Sequence, residues 1–144
     1  MSQYDKQLKA FTVLNRATIA VQEVAKKDVQ ESDLNLTEFA VLELLYHKGN
    51  QPIQMIGKKV LIASSSITYV IDKLEKKGYV ERVACPNDRR VTYASLTKQG
   101  TLFMDEIFPK HEQKLAQLFD TLSERELVTM IDLLKRVGHK ATKQ

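Results

Sequence analysis

The amino-acid sequence predicts a mainly α-helical fold of the α+β class, with six helices and one two-stranded β-hairpin. Apolar residues recur at helical spacing through most of the chain. The 144 residues include only five glycines and three prolines, which is typical of a folded, helix-rich protein. β-Branched and aromatic residues cluster around a polar turn only between positions 79 and 96. This length suits one core, so we expect a single domain over residues 1–144.

Four predicted helices fill the first half of the chain. Their approximate bounds are 5–30, 38–47, 52–60 and 63–77. Thr37 is the expected cap of the second helix, which is apolar on nearly every side, and Gly49 ends it. Pro52 suits the first turn of the short third helix, and Ala63 opens the fourth. The third and fourth helices, joined by a tight junction, predict a helix-turn-helix.

The pattern changes after the fourth helix. The polar turn at residues 86–90, flanked by β-branched and aromatic residues, predicts a hairpin with a basic tip. Thr97 is expected to cap a long fifth helix that Pro109 kinks. Ser123 and Glu126 have the spacing of a capping box, so the last helix begins there.

The first helix and the last two helices carry more apolar surface than a small core with a hairpin can cover. A second copy of the chain is the natural cover, because two-fold homodimers are the commonest oligomers. We therefore expect a homodimer joined through the N- and C-terminal helices.

Composition argues against several classes of protein. The single cysteine, Cys85, cannot form an intramolecular disulfide or a Cys-based zinc or iron–sulfur site. The first ten residues are charged, and no apolar run reaches bilayer length. We therefore expect a cytoplasmic protein without a membrane span or a cofactor. An enzyme is a remote alternative, since the chain has no nucleophile elbow, phosphate loop or firm metal motif.

The positive charge is concentrated in the middle of the chain. Residues 48–90 contain nine basic and four acidic side chains, a net charge of +5. The remaining 13 basic and 14 acidic side chains leave a net charge of −1. A charge distribution this uneven is typical of a surface that binds a polyanion, although a solvated lysine-rich helix would also produce it.

A helix-turn-helix followed by a basic hairpin predicts a winged DNA-binding surface. The second helix of the motif can enter the major groove, where exposed side chains of its first turns contact base edges. The candidate contacts on this helix are Ser64, Ser65, Ser66, Thr68, Tyr69 and Lys73. On the hairpin, Arg89 or Arg90 can enter a minor groove while Asp88 holds the arginine by a charge-assisted pair.

The order of these motifs resembles the MarR family of winged-helix regulators over nearly the whole chain. The resemblance is carried by LNLTEFAVLELLYHKG, SSSITYVIDKLEKKGYVERV and DRRVTYASLTKQG, with Asp88 and Arg90 as the most specific signature. It implies a winged helix-turn-helix part at 34–97 and dimerisation helices at 1–33 and 98–144. It further implies a homodimeric repressor that binds a palindromic operator. The stretches ITYVIDKLEKKG, FAVLELLYHKG and EIFPKHE are similar to a quinone-responsive subgroup, which implies control of detoxification genes.

A small aromatic effector is the expected signal. Phe39 and Glu43 lie one helical turn apart, and Glu43 is the one charged residue in the run FAVLELLY, so we expect it to be buried and to need a partner. The family resemblance implies that Phe11 and His111 approach the same junction. The two phenylalanines would pack against a hydroxylated aromatic ring, and Glu43 and His111 would form hydrogen bonds with it. The alternative is that the phenylalanines belong to the core, Glu43 pairs with a lysine and His111 is exposed.

Two other sensing mechanisms remain open from the sequence. Neighbouring arginines could lower the pKa of Cys85 and favour its oxidation or alkylation, although a lone strand cysteine is more often a packed side chain. Family members that sense peroxide carry their cysteine near the start of the first helix, where this chain has none. Alternatively, Glu43, His47 and His111 could bind a metal ion, although their spacing is not that of a known motif.

Overall fold

The computed structural model describes residues 2–60 and 64–144, so the predicted start of the fourth helix at Ala63 lies outside the described residues. The described part confirms the mainly helical winged helix-turn-helix fold with six helices. Its elements are α1 (Asp5–Gln30), α2 (Leu36–Lys48), β1 (Gln51–Pro52), α3 (Ile53–Lys59), α4 (Ser64–Lys76), β2 (Val80–Ala84), β3 (Thr92–Leu96), α5 (Lys98–Gln117) and α6 (Glu124–Thr142).

The hairpin is part of a three-stranded antiparallel sheet with the order β1-β3-β2. Ala94 in the central strand faces Gln51 on one side and Arg82 on the other. The hairpin was predicted correctly, but the prediction missed β1, the third strand of the sheet. Two residues are too few to show an alternating pattern, and Pro52 is tolerated because β1 lies at the edge of the sheet.

The cap of α2 differs from the prediction. The Asn35 side chain accepts a hydrogen bond from the Glu38 backbone N–H at 2.7 Å, and Glu38 Oε1 accepts one from the Asn35 backbone N–H at 3.0 Å. This reciprocal capping box starts α2 at Leu36, so the expectation of a Thr37 cap was wrong. Glu38 is the third residue of this helix, so its side chain can accept a hydrogen bond from the backbone N–H of Asn35, which favours Asn35 as the cap.

The caps of the last two helices agree with the sequence. The Gly100 backbone N–H donates to Thr97 Oγ1 at 2.9 Å, and α5 continues through Pro109 to Gln117. Ser123 and Glu126 form the predicted capping box of α6, with hydrogen bonds of 2.9 and 3.1 Å. None of the described helices combines the length and apolarity that a membrane crossing requires.

The chain divides into two compact units, residues 1–111 and residues 112–144. The first unit contains the hydrophobic core, to which the end of α1, helices α2 to α5 and strands β2 and β3 contribute. Its buried apolar residues are Val29, Leu34, Phe39, Val41, Leu42, Leu45, Ile56, Ile67, Val70, Ile71, Leu74, Val80, Ala94 and Met104. In the second unit, α6 buries no residue, and most of its large apolar side chains are exposed.

Candidate functional site

Helix α4 separates a buried apolar face from an exposed polar face, as predicted. The buried face consists of Ile67, Val70, Ile71 and Leu74. Ser66, Thr68 and Tyr69 are exposed, and Lys73 is half-buried with its Nζ 5.5 Å from the centre of the Tyr69 ring. The side chains of the other two candidate contacts, Ser64 and Ser65, lie outside the described residues. The described exposed face therefore offers hydroxyl groups and one cation to a ligand.

The tip of the hairpin is held by Asp88. Its Oδ1 accepts hydrogen bonds from the Arg90 backbone N–H at 3.0 Å and from Arg90 Nε at 3.2 Å. The backbone hydrogen bond from Arg90, followed by the side-chain one, lowers the pKa of Asp88. The Arg90 side chain is nevertheless 91% exposed, and Arg89 is exposed beside it. The tip thus orients a guanidinium while leaving most of it accessible.

A groove of about 620 Å³ lies between α3, α4 and the hairpin. Cationic side chains from separate elements line it: Lys58 from α3, Arg82 from β2 and Arg90 from the tip. Thr68 of α4 lines the same groove. Cations and a hydroxyl group spread along one groove suit contacts with successive phosphates of a nucleic-acid backbone.

The end of α4 is joined tightly to the start of α5. The Thr97 backbone N–H donates to the Tyr79 carbonyl at 3.0 Å, and Thr97 Oγ1 donates to the Gly78 carbonyl at 2.6 Å. The Tyr79 and Phe103 rings stack at 4.2 Å. A Cβ atom on Gly100 would lie 2.1 Å from the Tyr79 carbonyl oxygen, so only glycine fits this approach. The first turn of α5 is therefore packed closely against the residues that end α4.

A second candidate site lies beside His111, which is only 5% exposed. His111 Nδ1 lies 2.6 Å from Asp28 Oδ2, and the Phe39 ring centre lies 4.3 Å from the imidazole centre. These residues adjoin a cavity of about 260 Å³. The cavity is lined by Asp28, Val29, Glu31, Ser32, Phe39, Glu106, Ile107, Lys110 and His111. Phe39 and His111 therefore lie together as predicted, and His111 is not exposed. Phe39 nevertheless belongs to the hydrophobic core, as the alternative expected.

Sequence reasoning missed Asp28, whose carboxylate pairs with His111. Asp28 and His111 are 83 residues apart, on α1 and α5. Only the tertiary fold brings the two helices together, and no local pattern in the sequence links them.

The buried carboxylate of α2 is Glu38, so the expectation of a buried Glu43 was wrong. Glu38 is 2% exposed, and its Oε2 lies 3.1 Å from Lys77 Nζ. Glu43 is half-buried and is not among the residues that line the His111 cavity. The core-facing side of α2 runs through Glu38, Leu42 and Leu45 at helical spacing, and Glu43 lies at its edge.

Phe11 is 63% exposed on α1 and does not line the cavity within one chain. It precedes Asp28 by seventeen residues of the same helix, a separation of about 25 Å at 1.5 Å per residue. The expected approach of Phe11 to His111 is therefore not made within a single chain.

The structure also describes the residues of the two other sensing mechanisms, the Cys85 thiol and the metal site. Cys85 is half-buried at the end of β2, where its backbone N–H donates to the Val91 carbonyl at 3.1 Å. In the described residues, no group of three side chains is arranged to hold a metal ion. Glu43, His47 and His111 do not converge, because His47 packs edge-on against Phe108 and His111 faces Asp28.

Together, the α3–α4 pair, the three-stranded sheet and the exposed arginine at its tip define a winged helix-turn-helix protein. The model of the MarR family matches residues 34–92. The chain is also 50% identical to the HTH-type transcriptional regulator MhqR of Bacillus subtilis over 137 residues, which cover 95% of this chain and 94% of the relative. The chain belongs to the MarR family.

Solved structures have the same fold. AbsC, a MarR family transcriptional regulator from Streptomyces coelicolor, superposes with a TM-score of 0.91 at 21% identity, over 100% of this chain and 99% of that one. BpsR of Bordetella bronchiseptica superposes with a TM-score of 0.78 at 25% identity, over 90% of this chain and 98% of that one. The BpsR structure concerns regulation of its DNA binding by 6-hydroxynicotinic acid.

Proposed function

We propose that this protein is a homodimeric transcriptional repressor that binds a palindromic operator and is released by a quinone-like aromatic effector. The observation that carries the proposal is the exposed hydroxyl face of α4 beside the exposed arginine of the hairpin tip. The high identity to a relative named as a transcriptional regulator supports it. In this proposal the protein has no catalytic role, and its output is the fraction of operator DNA that it occupies.

The proposed DNA contacts involve both α4 and the hairpin tip. The first turns of α4 enter the major groove, with Ser66, Thr68 and Tyr69 toward the base edges. Arg90 enters the adjacent minor groove, where the negative potential is strongest, with its approach set by Asp88. Lys58 contacts the phosphates between them.

A homodimer presents two such surfaces to two half-sites about one helical turn apart. Both α1 and α6 carry apolar residues that the single chain leaves exposed. Those of α1 are Leu8, Phe11, Val13, Leu14, Ile19 and Val21, and those of α6 are Val128, Ile131, Leu133, Leu134 and Val137. Apolar exposure of this extent is typical of a subunit interface, and a second copy of the chain is its proposed partner.

The His111 cavity is the proposed effector site. Its volume of about 260 Å³ lies near the lower end of ligand pockets and suits a single ring packed against Phe39. Asp28 and His111 can exchange hydrogen bonds with a ring hydroxyl or carbonyl. Three acidic residues, Asp28, Glu31 and Glu106, and one lysine line the cavity. This balance favours an uncharged hydroquinone or quinone over an aromatic carboxylate.

Release follows from the connection between the cavity and the DNA surface. An effector that separates His111 from Asp28 changes the position of α5 relative to α1. Because Thr97 and Gly100 tie the start of α5 to the end of α4, the recognition helix moves with it. The effector shifts the population only if it binds the displaced form more tightly than the operator-binding form.

The proposal is tested by titrating the protein with a duplex of its own promoter and following release by hydroquinone and by benzoquinone. Phe39→Ala and His111→Ala should each abolish release by both compounds while DNA binding persists. Tyr46→Phe is the matched control, because it removes a 2.5 Å hydrogen bond to Asp105 of α5 and Tyr46 does not line the cavity.

Cys85→Ser separates cavity binding from thiol chemistry. Hydroquinone cannot alkylate a thiol directly, so a cavity mechanism predicts that Cys85→Ser responds normally to both compounds. If Cys85→Ser loses its response while the two cavity variants keep theirs, the signal acts through the thiol and the proposed effector site is wrong.

A further inference from the structure

Arg82 of β2 bridges the hairpin and the recognition helix. Its Nη2 donates to Asp72 Oδ1 at 2.8 Å, and its Nη1 donates to Glu75 Oε1. Both carboxylates belong to α4, three residues apart. The Arg82 guanidinium therefore links β2, the first strand of the hairpin or wing (β2, β3 and the turn between them), to two residues of α4.

The bridge meets α4 on the face that the groove exposes. Thr68, Asp72 and Glu75 are spaced i, i+4 and i+7, so they form one row along the helix. Thr68 and Arg82 line the same groove of about 620 Å³. The position of the wing relative to Thr68 thus depends on the Arg82 bridge.

We propose that Arg82 is a positioning residue that fixes the wing against the recognition helix and so sets the preference for operator over other DNA. This inference rests on the DNA-binding function proposed above. By charge alone, Arg82 would be counted as a phosphate contact, like Lys58. Its two hydrogen bonds to carboxylates direct it toward α4 instead.

The geometry explains why an arginine is needed. A planar guanidinium can engage two carboxylates in fixed directions, whereas a lysine ammonium is a point charge on a flexible stem. The Arg82 side chain is 31% exposed, and those of Asp72 and Glu75 are 51% and 34% exposed. Ion pairs that are this exposed add little to the free energy of unfolding. We therefore expect these two ion pairs to affect the position of the wing relative to α4 rather than global stability.

The two roles of Arg82 predict opposite results when the carboxylates are neutralised. If Arg82 contacts phosphate, Asp72→Asn combined with Glu75→Gln frees the guanidinium and removes repulsion, so affinity rises for every duplex. If Arg82 positions the wing, the same double variant no longer holds the wing in its place against α4. Affinity for a duplex of the protein's own promoter then falls about tenfold, as for one misplaced base contact, while affinity for a random duplex does not fall.

The experiment measures both affinities over a range of salt concentrations for the wild type, the double variant and Arg82→Lys. The proposal predicts that both variants lower the ratio of promoter to random affinity while Arg82→Lys keeps the salt dependence of the wild type. Glu81→Gln is the control, because it removes one negative charge at the neighbouring position of β2, where the side chain points to the opposite face. Thermal unfolding verifies that each variant is folded. If the double variant does not fold, Arg82→Lys tests the proposal alone, because this substitution keeps the total charge.

An unchanged ratio in folded variants overturns the proposal. So does a parallel rise of both affinities in the double variant. A wild-type protein without preference for its promoter contradicts the proposed function and this inference together, whereas a wild-type preference that the variants retain contradicts the inference alone.

Discussion

Replacing Arg90 with alanine tests the contact proposed for the hairpin tip. The side chain is 91% exposed, so its removal should leave the fold intact. A hydrogen bond from a charged side chain contributes about 1–3 kcal/mol. Two wings in a dimer therefore lose at least about 2 kcal/mol, which corresponds to about a thirtyfold loss of operator affinity. Each cation removed from the DNA surface also lowers the steepness of log affinity against log salt by about 0.9, so the dimer, which loses two, should lose about 1.8.

The assay is fluorescence anisotropy with the promoter duplex at several salt concentrations. Arg136→Ala is the matched control, because it removes one arginine charge from α6, where that side chain is 72% exposed. The control should change the affinity and the slope little, since the charge lies outside the proposed DNA surface. An Arg90→Ala variant that matches Arg136→Ala in both quantities would refute the proposed wing contact.

Three further predictions concern individual contacts. Lys77→Met leaves a buried oxygen of Glu38 without its partner, which should cost about 2 kcal/mol and lower Tm by about 4–8 °C; an unchanged Tm would show that the ion pair does not stabilise the fold. Gly100→Ala places a methyl group against a backbone carbonyl and should cost about 3 kcal/mol in urea unfolding, whereas an unchanged midpoint would show that the approach is loose. The lowered pKa of Asp88 means that its contacts stabilise the tip above the ordinary value of 3.8 and are lost as pH falls through the lower folded value. An NMR titration of the tip amides should therefore have its midpoint below 3.8, and a midpoint at or above it is the opposite result.

The sequence predicted the elements whose signal is local. Periodic apolar residues place all six helices, and the buried face of α4 follows from the spacing of Ile67, Val70, Ile71 and Leu74. The capping box at Ser123 and Glu126 was also correct, because both halves of the motif lie within four residues.

Features that depend on tertiary packing could not be predicted in this way. A charged residue in an apolar run looked buried at Glu43, but the orientation of α2 buries Glu38 instead, where Lys77 compensates it. The pairing of Asp28 with His111 joins two helices that are distant in sequence. Strand β1 depends on β3 for its existence, so two residues carried no signal of their own.

The preference of the wild-type protein for its own promoter tests the central claim most directly. Affinity for the promoter duplex and for a random duplex of the same length should be measured in parallel as salt is increased. We predict a preference of about a thousandfold or more, with log affinity for both duplexes falling linearly with log salt. Equal affinity for the two duplexes, or binding that does not depend on salt, would contradict the assignment of this surface to operator DNA.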